Sequence, residues 1–253
     1  MDPVYLRLRK RARQIVLTYP NPRFYKDFKQ AANQSGTLFN SAPLIAELRE
    51  FVAENVDDNF GHGMAHADKV SLDAGTLMII EGHRSGYPEN RILRRVLVAQ
   101  CAGLLHDIKR KQKNHAVEGA DYAREVLQSY RLSTDEIEDI CQAILNHEAF
   151  KETIKIDTPE GLLVSDCLYD ADKFRWGPDN FTDTLWDMVA FFNPSVADFV
   201  IRYPGGMQRL EEIKATFRSH TGKKYGPQMI DFGIIIGQEL MTVILTEFNH
   251  MLE

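Results

Sequence analysis

An all-α fold follows from three observations along the 253-residue chain. Apolar residues recur at helical spacing, helix start and stop signals punctuate them in good order, and no segment alternates in the manner of a strand. No Ser/Gly-rich linker, repeat or low-complexity stretch divides the sequence, so a single helical domain, 1–253, is expected. Asp2-Pro3 reads as an N-cap with Pro in the first turn, opening a helix to about Thr18. Ser41 caps a second helix through Val56. From Gly63 a third runs to Ile80, with Gly82 as its stop signal. The fourth covers 91–108, and Asn114 caps a fifth that ends near Tyr130. Ser133-Thr134-Asp135-Glu136 is a capping box for the sixth, which carries Ile137, Ile140, Ile144 and then His147. Thr158-Pro159-Glu160 opens the seventh, to about Phe174, and three more are expected over 182–192, 206–219 and 228–252.

Composition is that of an ordinary soluble protein: 44% hydrophobic, 26% charged, net charge −6. That balance gives no strong nucleic-acid signal. Cys101, Cys141 and Cys167 are odd in number and sit in apolar helical patterns, so they read as reduced core thiols of a cytoplasmic protein. Residues 1–10 contain no signal-peptide core. The longest apolar stretch, 232–245, is broken by Gln238 and Glu239 and is too short to cross a bilayer, so no membrane partner is expected.

The chemistry lies in His106-Asp107, which ends the apolar run 97–105. An unpartnered charge there costs several kcal/mol, and a divalent ion removes the problem by making ligands of both side chains. His66, His106, Asp107, His115, His147 and Asp172 each fall near a helix end or on an apolar helix face. Imidazole and carboxylate together suit borderline divalent metals. Adjacent helical residues point about 100° apart, so His106 could bind one ion while Asp107 bridges to a second, ~3.5–4 Å away.

At this point the sequence resembles the HD-domain superfamily of metal-dependent phosphohydrolases, over about 60–176. His62-Gly63-Met64-Ala65-His66-Ala67-Asp68-Lys69-Val70 looks like the family's His-x-x-[Arg/Lys]-Val helix and points to His66. Leu104-Leu105-His106-Asp107-Ile108 matches the signature dyad, and His115-Ala116-Val117-Glu118-Gly119-Ala120 the His-x3-Gly-Ala opening. Ala143-Ile144-Leu145-Asn146-His147-Glu148 resembles the fourth ligand segment, and Asp170-Ala171-Asp172-Lys173-Phe174 the closing motif, whose second Asp is the usual ligand.

The resemblance implies an all-α bundle with extra helices at 1–59 and 177–253, and two divalent ions among Fe, Mn, Co, Ni, Zn and Mg. It implies hydrolysis of a phosphate ester of a nucleotide or other small phosphorylated metabolite by metal-activated hydroxide. Asp107 would bridge the ions, His66, His106 and Asp172 binding one and His115 and His147 the other. Arg110 and Lys109, just after the dyad, and Lys173 and Arg175, flanking Asp172, are candidate phosphate contacts. Glu148 is a candidate general acid or partner of a ligand histidine. His62, four residues before His66, faces the same helix side and could line the site.

Lys109 replaces the glycine common after the dyad. Gly86-Tyr87-Pro88 lies between His66 and His106, whereas cyclic-dinucleotide phosphodiesterases carry that tripeptide after the fourth ligand block, so here it reads as a turn. Two other readings share the ligand set: a di-iron oxygenase of the same superfamily, and a non-catalytic metal-binding signalling scaffold. Trp186, Phe191, Phe192, Phe199 and Tyr203 read as core rather than substrate wall. Gly233-Ile234-Ile235-Ile236-Gly237 permits close helix approach, either internally or in a homodimer.

Overall fold

Twelve α-helices and one π-helical turn, and no strand, lie among the chain's described residues, 3–56 and 63–247 of a computed structural model. In order they are α1 (Pro3–Thr18), α2 (Arg23–Asp27), α3 (Lys29–Ser41), α4 (Pro43–Asn55), α5 (Met64–Arg84) and α6 (Glu89–Leu105). Then follow α7 (His115–Leu127), α8 (Thr134–Leu145), α9 (Pro159–Phe174), the π turn (Asn180–Thr184), α10 (Leu185–Phe192), α11 (Val196–Ile213) and α12 (His220–Glu247). The all-α class is as the sequence predicts.

Where helix ends have local chemistry, they lie where expected. Ser133 accepts a bond from the Glu136 N–H (3.2 Å) while the Glu136 carboxylate accepts from the Ser133 N–H (2.8 Å), completing the capping box of α8. Thr158 caps α9 by accepting from the Gly161 N–H at 3.1 Å. Other signals mislead. Ser41 ends α3 instead of opening α4; its hydroxyl donates back to the Thr37 carbonyl at 2.8 Å. Asn114 precedes α7 without a side-chain cap bond. α5 runs through Gly82 and stops at Gly86, whose φ of +73° is a left-handed conformation that glycine adopts without strain. α11 begins ten residues before Gly206 because Ser195 caps it, accepting from the Asp198 N–H at 3.1 Å, and the helix tolerates Pro204. The expected N-cap Asp2 and end point Leu252 lie outside the described residues.

α5 is the central element, packing on α6, α9 and α3, while α8 joins α7 to α9. One contact sets the spacing of α5 and α6. A Cβ placed on Gly103 would lie 2.6 Å from Ser71 Cα and 2.8 Å from Ser71 N, so the two backbones touch where no side chain fits. This crossing holds the N-terminal turn of α5 close to the C-terminal end of α6. Outside the core, α4 covers α6, and α12 packs on α1, α9 and α11. Arg11 pairs with Glu247 (2.6 Å) and the Tyr19 hydroxyl donates to Glu239 (2.9 Å), so α1 and α12 run antiparallel.

α12 is longer than the apolar stretch visible in the sequence; by length and composition alone it could cross a membrane. Ile230, Ile236, Leu240 and Ile244 are fully buried against the bundle, so one face of this helix is core, while Ile235 and Leu245 on the other are exposed. The three cysteines are free and buried, and burial pushes the Cys101 thiol up to about 12 and Cys141 to about 11.

Candidate metal centre

Five helix ends meet at the centre of the α5–α9 core. His66 lies in the first turn of α5, His106 and Asp107 directly follow α6, His115 opens α7, His147 lies two residues beyond α8, and Asp172 is in the last turn of α9. All six are buried. Two rings have their orientation fixed by backbone. His106 Nδ1 is 2.8 Å from the Gly103 carbonyl and His147 Nδ1 is 2.6 Å from the Ile144 carbonyl. A carbonyl only accepts, so both Nδ1 atoms donate, and each ring is turned so that Nε2 is the atom facing inward, available as a metal ligand.

The inward atoms form two trios, His66–His106–Asp107 and Asp107–His115–His147, each with ligand-type atoms within 4.8 Å of one another. Asp107 belongs to both through different oxygens. Its Oδ2 lies 3.3 Å from His106 Nε2 and 4.0 Å from His66 Nε2; its Oδ1 lies 3.4 Å from His147 Nε2 and 3.5 Å from His115 Nε2. Asp172 Oδ1 joins the first trio, 3.3 Å from His66 Nε2 and 3.8 Å from His106 Nε2. The paired imidazoles face each other Nε2 to Nε2, at 3.3 Å for His66–His106 and 3.2 Å for His115–His147. Lone pairs and carboxylate oxygens converging at these distances repel unless a proton or cation lies among them. The N/O donor set therefore fits divalent ions.

The electrostatics differ between the halves. Burial works to lower His106, but the carboxylates of Asp107 and Asp172 outweigh it and hold the ring above its ordinary value. His115 goes the other way: burial, with the neighbouring His147 and Arg110, lowers it to about 4 despite Asp107. Burial opposes the charge on Asp172, yet Lys173, His66 and His106 keep its carboxyl well below the usual range.

The cations near the centre divide by partner. Arg110 reaches in from the half-exposed rim, with Nη1 2.8 Å from His115 Nε2 and 3.5 Å from Asp107 Oδ1. Lys109 turns aside and places its ammonium 3.5 Å from the Tyr122 ring centroid. Lys173 is buried and donates to the Asp172 carboxylate. Arg175 is buried and donates to Asp73, Asp179 and the Tyr25 hydroxyl. Glu148 Oε1 lies 3.7 Å from His115 Nδ1, behind the ring. His62 lies outside the described residues.

Two features escaped the sequence reading. Asp73, seven residues after His66 on the same face of α5, is the buried carboxylate that holds Arg175; Tyr25 donates to it at 2.7 Å. Its spacing from His66 was the signal available. The second is a cavity of about 480 Å³ bordered by His66 and Arg110 and walled by the π turn, α10 and α11. Phe199 and Tyr203 are buried as core side chains, yet they line this cavity; Trp186 is fully enclosed, whereas Phe191 and Phe192 are exposed instead of core, and Phe192 also lines the cavity.

Residues 64–176 match the HD domain family model, so the chain carries an HD domain, as the resemblance implied. A predicted HD superfamily hydrolase from an uncultured Thermotogales bacterium, solved at 1.45 Å resolution, superposes with a TM-score of 0.50 at 20% sequence identity. The alignment covers 82% of this chain and 97% of that one, and likeness at this identity speaks for the fold alone. No curated protein sequence matches the chain.

Proposed function

We propose that this protein is a metal-dependent hydrolase, and specifically a phosphohydrolase acting on a phosphate ester. One observation carries the reading: a single buried carboxylate, Asp107, turns one oxygen to each of two histidine pairs. In this proposal His66, His106 and Asp172 hold one divalent ion, His115 and His147 hold another, and Asp107 is shared. When bound, such ions lower the pKa of water and offset the negative charge that gathers on a phosphoryl group.

The chain's own groups then have distinct tasks. The Gly103 and Ile144 carbonyls fix the tautomers of His106 and His147, keeping both Nε2 atoms available. Glu148 takes the Nδ1 proton side of His115 and orients its ring. Lys173 holds Asp172 in place. Arg110, anchored on the rim, swings from His115 to bind the phosphoryl oxygens of the ester. Lys109 and Arg175 act at one remove, since Tyr122 and Asp73 occupy them.

The test pairs metal analysis of the purified protein with a phosphate-release screen over alkyl, sugar and nucleoside phosphates. About two ions per chain and release from at least one ester class are expected. Asp107→Ala should lose metal and activity together while remaining helical, and Arg110→Ala should keep metal with a raised KM. Iron with oxygen-dependent turnover and no phosphate release would overturn the proposal, as would full activity of Asp107→Ala.

A further inference from the structure

The cavity beside the centre has a chemistry of its own. Trp176, Phe181, Met188, Phe199, Tyr203 and Met207 line it, and no acidic residue appears among the described residues that do. Polar tips that could have faced inward are engaged elsewhere. The Tyr203 hydroxyl donates to the Gly237 carbonyl at 2.9 Å, and Arg175 and Arg209 are paired with Asp73 and Glu212. Arg110 and Arg202 remain as positive charge on the lining, the former at the edge of the metal centre.

A volume of about 480 Å³ is that of a small-molecule site, and its position makes it continuous with the centre through His66 and Arg110. We infer that the substrate is an amphiphilic phosphate ester: an anionic head at the centre and an alkyl or similarly apolar group in this cavity. The inference rests on the hydrolase reading above. A nucleoside fits less well, because its base and ribose would be buried against a largely apolar wall whose polar side chains are few, Asn180 and Thr184 beside the cationic Arg110 and Arg202. Unmet hydrogen-bonding groups in such a place weaken binding.

The test uses the Mn²⁺-loaded full chain with n-alkyl phosphates from ethyl to decyl as substrates. The matching alkylphosphonates, which cannot be hydrolysed at the P–C bond, serve as binding probes read by calorimetry and by intrinsic tryptophan fluorescence. Affinity should rise about fourfold per methylene until the cavity is full, the ~0.8 kcal/mol of a buried CH₂. Met188→Asp, which puts an anion in the wall, should flatten that dependence. Gly206→Trp should do so too: a Cβ there meets no atom within 4 Å, so the variant can fold while its ring obstructs the opening. Equal affinity for ethyl- and decylphosphonate, or tighter binding of a nucleoside monophosphate, would overturn the inference. Hydrolysis indifferent to chain length would leave the hydrolase reading intact and sink only this one. Steep chain-length dependence of phosphonate binding without turnover of any ester would overturn the hydrolase reading and the substrate assignment with it, leaving only an amphiphile-binding cavity.

Discussion

Gly103→Ala is a sharp test of how the fold builds the centre. The added methyl would lie 2.6 Å from Ser71 Cα, against an ordinary carbon–carbon separation of ~3.5 Å or more, so α5 and α6 must part by about 1 Å. Backbone cannot rotate away as a side chain could. Overpacking of this kind costs ~1–3 kcal/mol, from which the better helix propensity of alanine returns at most ~1 kcal/mol. His66 and His106 stand on either side of that crossing, with Nε2 atoms 3.3 Å apart, and a displacement of that size pulls one pair of ligand-type atoms out of register. The matched control is Gly119→Ala, whose new methyl would meet the His106 carbonyl oxygen and Ile144 at 3.6 Å, an ordinary contact. Thermal melts and calorimetric metal titrations on both variants decide the matter. Gly103→Ala should melt lower, by ~2–4 °C per kcal/mol, and bind metal more weakly, while Gly119→Ala should match or exceed the parent on both counts. Parental metal affinity in Gly103→Ala would refute the claim that this contact sets the geometry.

Further perturbations probe other parts of the argument. Removing metal with a chelator should lower the melting temperature by about 5–11 °C per ion lost relative to protein held at a hundredfold excess over Kd, the ~2.7 kcal/mol of linked binding at each site; an unchanged melt would show that no ion binds the folded state. Glu148→Gln should weaken metal binding ~10–100-fold by loosening His115, with helical content unchanged in circular dichroism. Arg175→Met strands the buried Asp73 carboxylate and should cost ~3–5 kcal/mol in chemical denaturation, with Asp73→Asn in the same chain restoring part of it. Glu136 gives a pH signature. Burial would raise its carboxyl, but bonds from Arg94 and Ser133 outweigh that and hold it below the ordinary value. Its stabilisation is therefore complete above the unfolded value of ~4.3 and fades as pH falls through the folded one. Melts of Glu136→Gln against the parent should differ most near neutrality and converge in acid.

Helix identity in the 64–176 core was legible from its amphipathic runs, reinforced at the starts of α8 and α9 by the Ser133–Glu136 box and Thr158-Pro159. α2 and α3 were not, since α3 buries only Ser35 and Phe39 and its polar composition hides so thin a stripe. The helix expected over 206–219 missed the first half of α11 and overran its end at Ile213; Ser195 starts it, and Phe199, Tyr203 and Leu210 bury its inner face. The six ligand-type residues were visible as an ordered set of polar groups in apolar surroundings, and the structure gathers all six. What spacing alone could not reveal was occupation of the flanking cations. Lys109, Lys173 and Arg175 looked alike next to the motifs, yet each meets a different partner, and two of those partners, Tyr25 and Asp73, come from distant turns of the chain.

The antiparallel seam between α1 and α12 carries a consequence for biogenesis. α1 finds its long companion only after the helices between them have been made, and Gly237, which anchors Tyr203, arrives with α12. The HD core can collapse early on neighbouring contacts, whereas the apolar chamber beside it is closed by a late, long-range docking event. Nascent chains should thus pass through a stage in which that greasy hollow stands open, a natural target for chaperones.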